Sequence, residues 1–331
     1  MRLFRILLFT GLFLSLALAA AGTWWANTPL SLRTDPVEFR VLPGSGLRII
    51  AAQVADAGIV TPPEFLVVLG KVMRVETALK TGMYSISAGI TPLDLLRKLT
   101  SGDVSQAEIR FIEGWTFRQW REKIEAHADL RHEMRGMPES EILRILGIQA
   151  ARLEGLLFPD TYLFDKQSSD LELLARAHRA AMRRLEQEWA QRVPGLPYKN
   201  PYDALIMASI VEKETGRDAD RPQIAAVFVN RLRQGMLLQT DPTVIYGMGE
   251  NFDGNLRKRD LQTDTPYNTY MRAGLPPTPI AMPGVASLRA ALNPARSDAI
   301  YFVARCDGSS EFSRTLEAHN RAVSRYQRGM R

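Results

Sequence analysis

The chain has 331 residues, 46% hydrophobic and 24% charged, with a net charge of +6. This is ordinary globular composition with two or more domains as the expectation, and the scattered basic residues form no run that would point to nucleic acid; an acidic polymer or an anionic membrane surface fits as well. A single cysteine, Cys306, excludes an intrachain disulfide and a cysteine-rich metal site, and reads as a small buried apolar residue.

At the amino terminus, Arg2 and Arg5 precede an uncharged stretch from Ile6 to Leu32 whose apolar part reaches Trp24-Trp25-Ala26. That is roughly the 20 residues needed to cross a bilayer. The arginines would stay cytoplasmic and the tryptophans would sit at the far interface. Ala19-Ala20-Ala21-Gly22 also suits cleavage of a signal peptide, but the long run and paired tryptophans favour a retained anchor over residues 1–27. On either reading the body of the protein lies outside the cytoplasm.

Thr28 to Pro36 reads as a short polar linker. Val37 to Val41 alternates as a strand does, Leu47 to Ala57 and Pro63 to Val72 read as helices, and Lys80 to Ile86 as a second strand. Thr91 opens another helix, closed by Gly102. Residues 37–104 thus form a small α+β module, near the lower end of domain size.

Residues 105–331 read as a larger mixed α+β domain, so the fold class is α+β throughout. Ala107 to Ile112 is a predicted strand leading to Glu113-Gly114-Trp115-Thr116, where Thr116 can cap the next helix. Arg131 to Ala151 reads as a polar helical arm, and Ser169 or Asp170 starts a long helix to about Arg192. Arg221 to Gln234 and Ser287 to Leu292 are further helices, Ala299 to Ala304 and Glu311 to Ser313 strands, and Leu316 to Tyr326 the last helix.

The helix before Arg221 is the unusual one. Asn200 suits the N-cap, Pro201 the first helical position and Asp203 the first turn. Ala204 to Val211 is then apolar on every side, which marks a buried helix. Its end carries Glu212 and Glu214, which two residues apart on a helix face different ways, so they do not share a pocket. A carboxyl at the end of an apolar helix has its charged form disfavoured and moves towards the range of a general acid. The plainer reading makes both the polar end of a buried helix, with Glu214 pairing to Arg217.

Downstream, Leu237 to Gly247, Thr265 to Tyr270 and the proline-rich run from Gly274 to Gly284 place tyrosines and amides among rigid turns. These are the materials of a carbohydrate groove, and equally of a surface loop stiffened by proline. The four histidines are dispersed and no His-Glu-x-x-His pair occurs, so no zinc site is expected. Nucleophile-elbow, Walker and dinucleotide patterns are missing from the sequence too, which leaves carboxylate acid–base chemistry without a cofactor.

Glu113-Gly114-Trp115-Thr116, Glu154-Gly155-Leu156-Leu157-Phe158-Pro159-Asp160-Thr161-Tyr162 and Ala208-Ser209-Ile210-Val211-Glu212-Lys213-Glu214-Thr215 resemble motifs of the YceG-like (MltG-type) family of endolytic murein transglycosylases. The series continues through Phe228 to Leu232, Leu238 to Gly247, Tyr267 to Tyr270 and Gly274 to Pro277, in matching order over nearly everything after the apolar segment.

The resemblance implies a single-pass inner-membrane protein whose periplasmic part cuts peptidoglycan strands internally, between N-acetylmuramic acid and N-acetylglucosamine, and leaves a 1,6-anhydro end. It implies a LysM-like, glycan-binding fold for residues 37–104, places the family glutamate on Glu212, and makes cell-wall synthases the natural partners. Gln239, Asp241, Tyr246, Tyr267, Asn268 and Tyr270 are then the groove candidates, although Asp and Asn also commonly bond local backbone in turns. Two rivals stay open: a non-catalytic glycan-binding scaffold, and a hydrolase, which needs a second carboxylate facing Glu212, with Asp241 the attractive choice.

Overall fold

A computed structural model describes residues 2–328; Met1, residues 329–331 and the side chains of Arg2, Leu3, Leu7 and Arg328 lie outside the described part, and with them the expectation that Arg2 marks the cytoplasmic side. The chain divides into two compact units: Met1–Glu108 with Leu163–Ser168, and Ile109–Tyr162 with Ser169–Arg331. The short segment after Tyr162 thus belongs to the first unit.

The first unit begins with α1 (Arg2–Ala26), of which Phe4–Ala26 is long and apolar enough to cross a membrane. At about 1.5 Å per residue it would span a hydrocarbon core. Its end is docked: Trp24 is exposed, but Trp25 meets Phe65 edge-on with ring centroids 5.4 Å apart. The residues after it are not a bare linker, because Leu30 enters the core and β1 (Ser31–Leu32) pairs with β3 (Ile59–Val60). The alternating β2 (Val37–Val41) pairs antiparallel with β4 (Gly82–Ile86), setting Phe39 opposite Tyr84 with the rings stacked 5.8 Å apart. Three amphipathic helices, α2 (Leu47–Asp56), α3 (Pro63–Val72) and α4 (Pro92–Ser101), bury Ile50, Val54, Leu66, Leu95 and Leu99 in that core. Thr91 caps α4 through the Asp94 N–H, and Gly102 ends it in the left-handed conformation.

After β5 (Gln106–Arg110), which runs out of the first unit, the second unit contains α5 (Phe117–Glu125) behind a Thr116–Gln119 capping box. β6 (Leu130–Arg131) and α6 (Glu139–Leu146) occupy the stretch expected to be one polar arm. Left-handed Gly136 and Gly147 and the intervening Pro138 keep that helix short, and the Asp170 carboxylate accepts the N–H groups of Glu133 and Met134. Next come β7 (Thr161–Asp165), β8 (Ser168–Ser169) and α7 (Asp170–Ala190).

The apolar helix is α8 (Pro201–Glu214), capped by Asn200 and buried throughout from Ala204 to Val211. It packs against α7, α9 (Arg221–Arg233), α10 (Asp241–Met248) and α12 (Val285–Leu292), with α11 (Lys258–Gln262) preceding the last of these. α10 falls where the sequence reads as turns. Pro242 sits in the first turn of α10, where proline is tolerated, and Thr243 and Val244 are buried. A β9 (Tyr301–Ala304) and β10 (Ser310–Ser313) hairpin and α13 (Leu316–Val323) complete the unit. Cys306 lies in the turn of that hairpin and is exposed, contrary to its expected burial.

Candidate active site

The site is built on one face of α8. The fully buried Ser209 hydroxyl donates to the Ile206 carbonyl at 2.7 Å and accepts the Ile280 N–H at 3.0 Å. One turn on, Glu212 Oε2 accepts the N–H of Gly284 at 2.9 Å. The segment from Ile280 to Gly284 is therefore laid along the Ser209–Glu212 face of α8. Its other edge is bonded to the Glu113-Gly114-Trp115-Thr116 motif, where the Gly114 N–H donates to the Met282 carbonyl and the Met282 N–H to the Trp115 carbonyl, each at 2.8 Å. Three motifs far apart in sequence thus meet at the end of α8.

Glu212 Oε1 faces Arg221 Nη2 at 3.3 Å, with the two side chains only 6% and 7% exposed. Arg221 also pairs with Asp218. Gly284 is the N-cap of α12, so the Glu212 carboxylate sits at a helix N-terminus, where the partial positive charge of the peptide dipoles favours an anion. Lys213 Nζ reaches the Gly114 carbonyl at 3.2 Å. Glu113 is exposed, and its carboxyl is held above the ordinary range by partial burial and by the charge of Glu212, with Arg221 pulling it down. The sequence alone does not single out Arg221, Gly284 or Glu113 as site residues. Only the motif containing Glu113 carries a signal, and nothing local shows that it meets Gly284.

Glu214 joins a different network, as its spacing from Glu212 requires. It accepts the Thr240 hydroxyl rather than pairing with Arg217, which donates to the Asp307 carbonyl. Burial pushes the Glu214 carboxyl up to about 7, against the Thr240 hydrogen bond; Asp241 adds to the rise and Arg231 opposes it. Around this cluster lie three of the groove candidates. Gln239 is exposed and left-handed (φ 49°), and the exposed Asp241 accepts the hydroxyl of half-buried Tyr270. Asp241 therefore belongs with Glu214, and the carboxylate beside Glu212 is Glu113.

The other three candidates have their polar groups committed inside the fold. Asn268 is fully buried, its amide donating to the carbonyls of Asp260, Leu261 and Thr263 and accepting the Tyr270 N–H, so it shapes the loop instead of presenting a group to a ligand. The Tyr267 hydroxyl bonds Thr278 at 2.8 Å. The Tyr246 hydroxyl donates to Glu154 at 3.1 Å. Glu154, 3% exposed, also accepts the Phe117 N–H at the start of α5, and burial pushes its carboxyl up to about 8. A pocket of about 700 Å³, lined by Ile148, Leu156, His178, Met182, Tyr202 and Pro277, opens near the other end of α8 from Glu212.

The model of the YceG-like family matches residues 39–325. The chain is 34% identical over 267 residues to an endolytic murein transglycosylase of Bacillus subtilis (strain 168), covering 75% of this chain and 73% of that protein. It is 30% identical over 285 residues to an endolytic murein transglycosylase of Streptococcus pneumoniae serotype 2 (strain D39), covering 76% of this chain and 51% of that longer relative. Among solved structures, a YceG-like protein from Listeria monocytogenes matches with a TM-score of 0.54 at 29% identity, over 87% of this chain and 98% of that one. The motifs that converge on Glu212 all lie within the matched residues, and the chain belongs to the YceG-like family.

Proposed function

We propose that this protein is an endolytic murein transglycosylase that cleaves the bond between N-acetylmuramic acid and N-acetylglucosamine inside peptidoglycan strands, leaving a 1,6-anhydro end. The observation that carries the reading is Glu212, a carboxyl on the end of a helix buried from Ala204 to Val211, its side chain 6% exposed and aimed at the N-terminus of α12. Binding alone has no need of an acid so placed. The names carried by relatives at 34% and 30% identity support the same activity.

In this mechanism protonated Glu212 gives its proton to the glycosidic oxygen as the bond from the muramyl C1 breaks. The muramyl 6-hydroxyl then attacks C1, and Glu212, now a carboxylate, takes the hydroxyl proton. One carboxyl serves both steps because the nucleophile belongs to the substrate, whereas an ordinary glycosidase divides the work between two. Arg221 and the Gly284 N–H favour the carboxylate that exists between the two transfers. Gln239, Asp241 and Tyr270, grouped around the Glu214 network, are the groove residues retained.

In this reading α1 is retained in the inner membrane, the rest is periplasmic, the first unit is a LysM-like glycan binder, and cutting nascent strands ends their elongation beside the synthases. The test is mass spectrometry of purified glycan strands digested by the protein and by Glu212→Gln. Anhydro-ended fragments from the first and none from the second are expected. Reducing ends would mean a hydrolase, and binding without cleavage a scaffold.

A further inference from the structure

Gly284 has an ordinary extended backbone, with φ −76° and ψ 170°, which any residue can adopt. What excludes a side chain there is space. A Cβ built on Gly284 would lie 2.0 Å from Glu113 Oε1 and 2.4 Å from Oε2, so the Glu113 carboxyl occupies the volume a side chain would need. The same residue gives its N–H to Glu212. One glycine therefore has one carboxyl on its N–H and a second against its Cα.

The backbone beside Glu113 is held in place. The paired Gly114–Met282 and Met282–Trp115 hydrogen bonds hold the residues just after it in register with those just before Gly284. The charged groups at this end of α8 and leading into α9 are Glu212, Lys213, Glu214, Arg217, Asp218, Asp220 and Arg221; the first turn of α12 has none. Glu214 is turned to the Thr240 hydroxyl, Arg217 to the Asp307 carbonyl and Lys213 to the Gly114 carbonyl. Arg221, shared between Glu212 and Asp218, is the cation beside the two acids. Like charges this close disfavour full ionisation, and the direction of the shift at Glu113 agrees.

We propose that Glu113 is a positioning residue of the same reaction: lying on Gly284 beside Glu212, it opposes Arg221 and keeps one proton shared between the two acids. The proposal rests on the transglycosylase reading and supplies what that mechanism needs, an acid that arrives protonated although an arginine faces it. The balance closes. The shared proton leaves through Glu212 to the glycosidic oxygen as the C1–O bond breaks, the muramyl O6–C1 bond forms, and the O6 proton returns to the pair.

The test uses full-length protein in detergent micelles with glutamate Cδ carbons labelled by 13C, titrated by NMR and assigned with Glu113→Gln and Glu212→Gln. Glu212→Gln is expected to lower the Glu113 midpoint by about one pH unit or more, the scale of an interacting pair. In Glu113→Gln the basic limb of the pH–rate profile for anhydro-end formation moves down by a similar amount, so that above the limb it is about tenfold slower, while Glu113→Asp stays near the parent. A Glu113 midpoint that ignores Glu212→Gln overturns the proposal, as does a fall in rate with no movement of the limb, which a purely structural role would give. Coupled titrations in a protein that forms no anhydro ends would leave the pair standing and remove the transglycosylase reading.

Discussion

Ser209 Oγ accepts the Ile280 N–H at 3.0 Å while donating to the Ile206 carbonyl at 2.7 Å. This hydroxyl ties the segment that ends in Gly284 to the helix face that ends in Glu212. Ser209→Ala leaves the Ile280 N–H without its partner, at a cost of about 1–3 kcal/mol. Urea denaturation is expected to register that loss. Cleavage is expected to fall further than stability does, because the Gly284 N–H shifts from Glu212. Unchanged stability and rate would show that the bond does not position the segment.

Arg221 and Glu212 are both less than a tenth exposed, so breaking their pair strands a charge in a poorly solvated place. Arg221→Met is expected to destabilise the protein by about 3–5 kcal/mol. In a Glu212→Gln background the same change is expected to cost distinctly less, since the stranded charge is gone. A double-mutant cycle in denaturant measures the difference; equal costs in the two backgrounds would deny the coupling.

What the sequence makes legible is local. Asn200, Thr91 and Thr116 cap the helices expected of them, because each signal lies within a few residues of its effect. The all-round apolar run from Ala204 to Val211 identifies α8, and the two-residue spacing separates Glu212 from Glu214. What it hides is pairing at a distance. Asn268 reads as a groove amide, yet its amide spans three carbonyls of the preceding turns. Asp241 reads as the second acid, but its place in the first turn of α10 turns it to Tyr270. Glu113 reaches Gly284 only through the backbone ladder at Met282, which no periodicity records.

Gly284→Ala puts a methyl where the Glu113 carboxyl lies. The colliding atoms are the end of a flexible, exposed side chain, so the fold can absorb them by turning Glu113 away. The expected outcome is a melting temperature near that of the parent and a loss of cleavage like that of Glu113→Gln. The double variant is expected to be no worse than either single one, since both remove the same arrangement. Full activity and an unshifted pH profile in the Gly284→Ala enzyme would show that the glycine serves another purpose.

Glu154 and Glu214 carry the clearest pH signature in the fold. Burial lifts their carboxyls from 4.5 to about 8 and about 7. The folded state therefore binds more protons than the unfolded chain, so Glu154 lowers stability as pH rises from about 4.5 to about 8, and Glu214 as it rises from about 4.5 to about 7. Glu154→Gln keeps an oxygen for the Phe117 N–H and for the Tyr246 hydroxyl but no longer titrates. Its melting temperature relative to the parent is expected to improve from pH 5 to pH 8, and Glu214→Gln is expected to behave likewise over a range ending about one pH unit lower. Thermal melts of the three proteins at several pH values decide the matter. A constant offset between Glu154→Gln and the parent would mean that the buried carboxyl ionises as easily in the folded protein as in the unfolded chain.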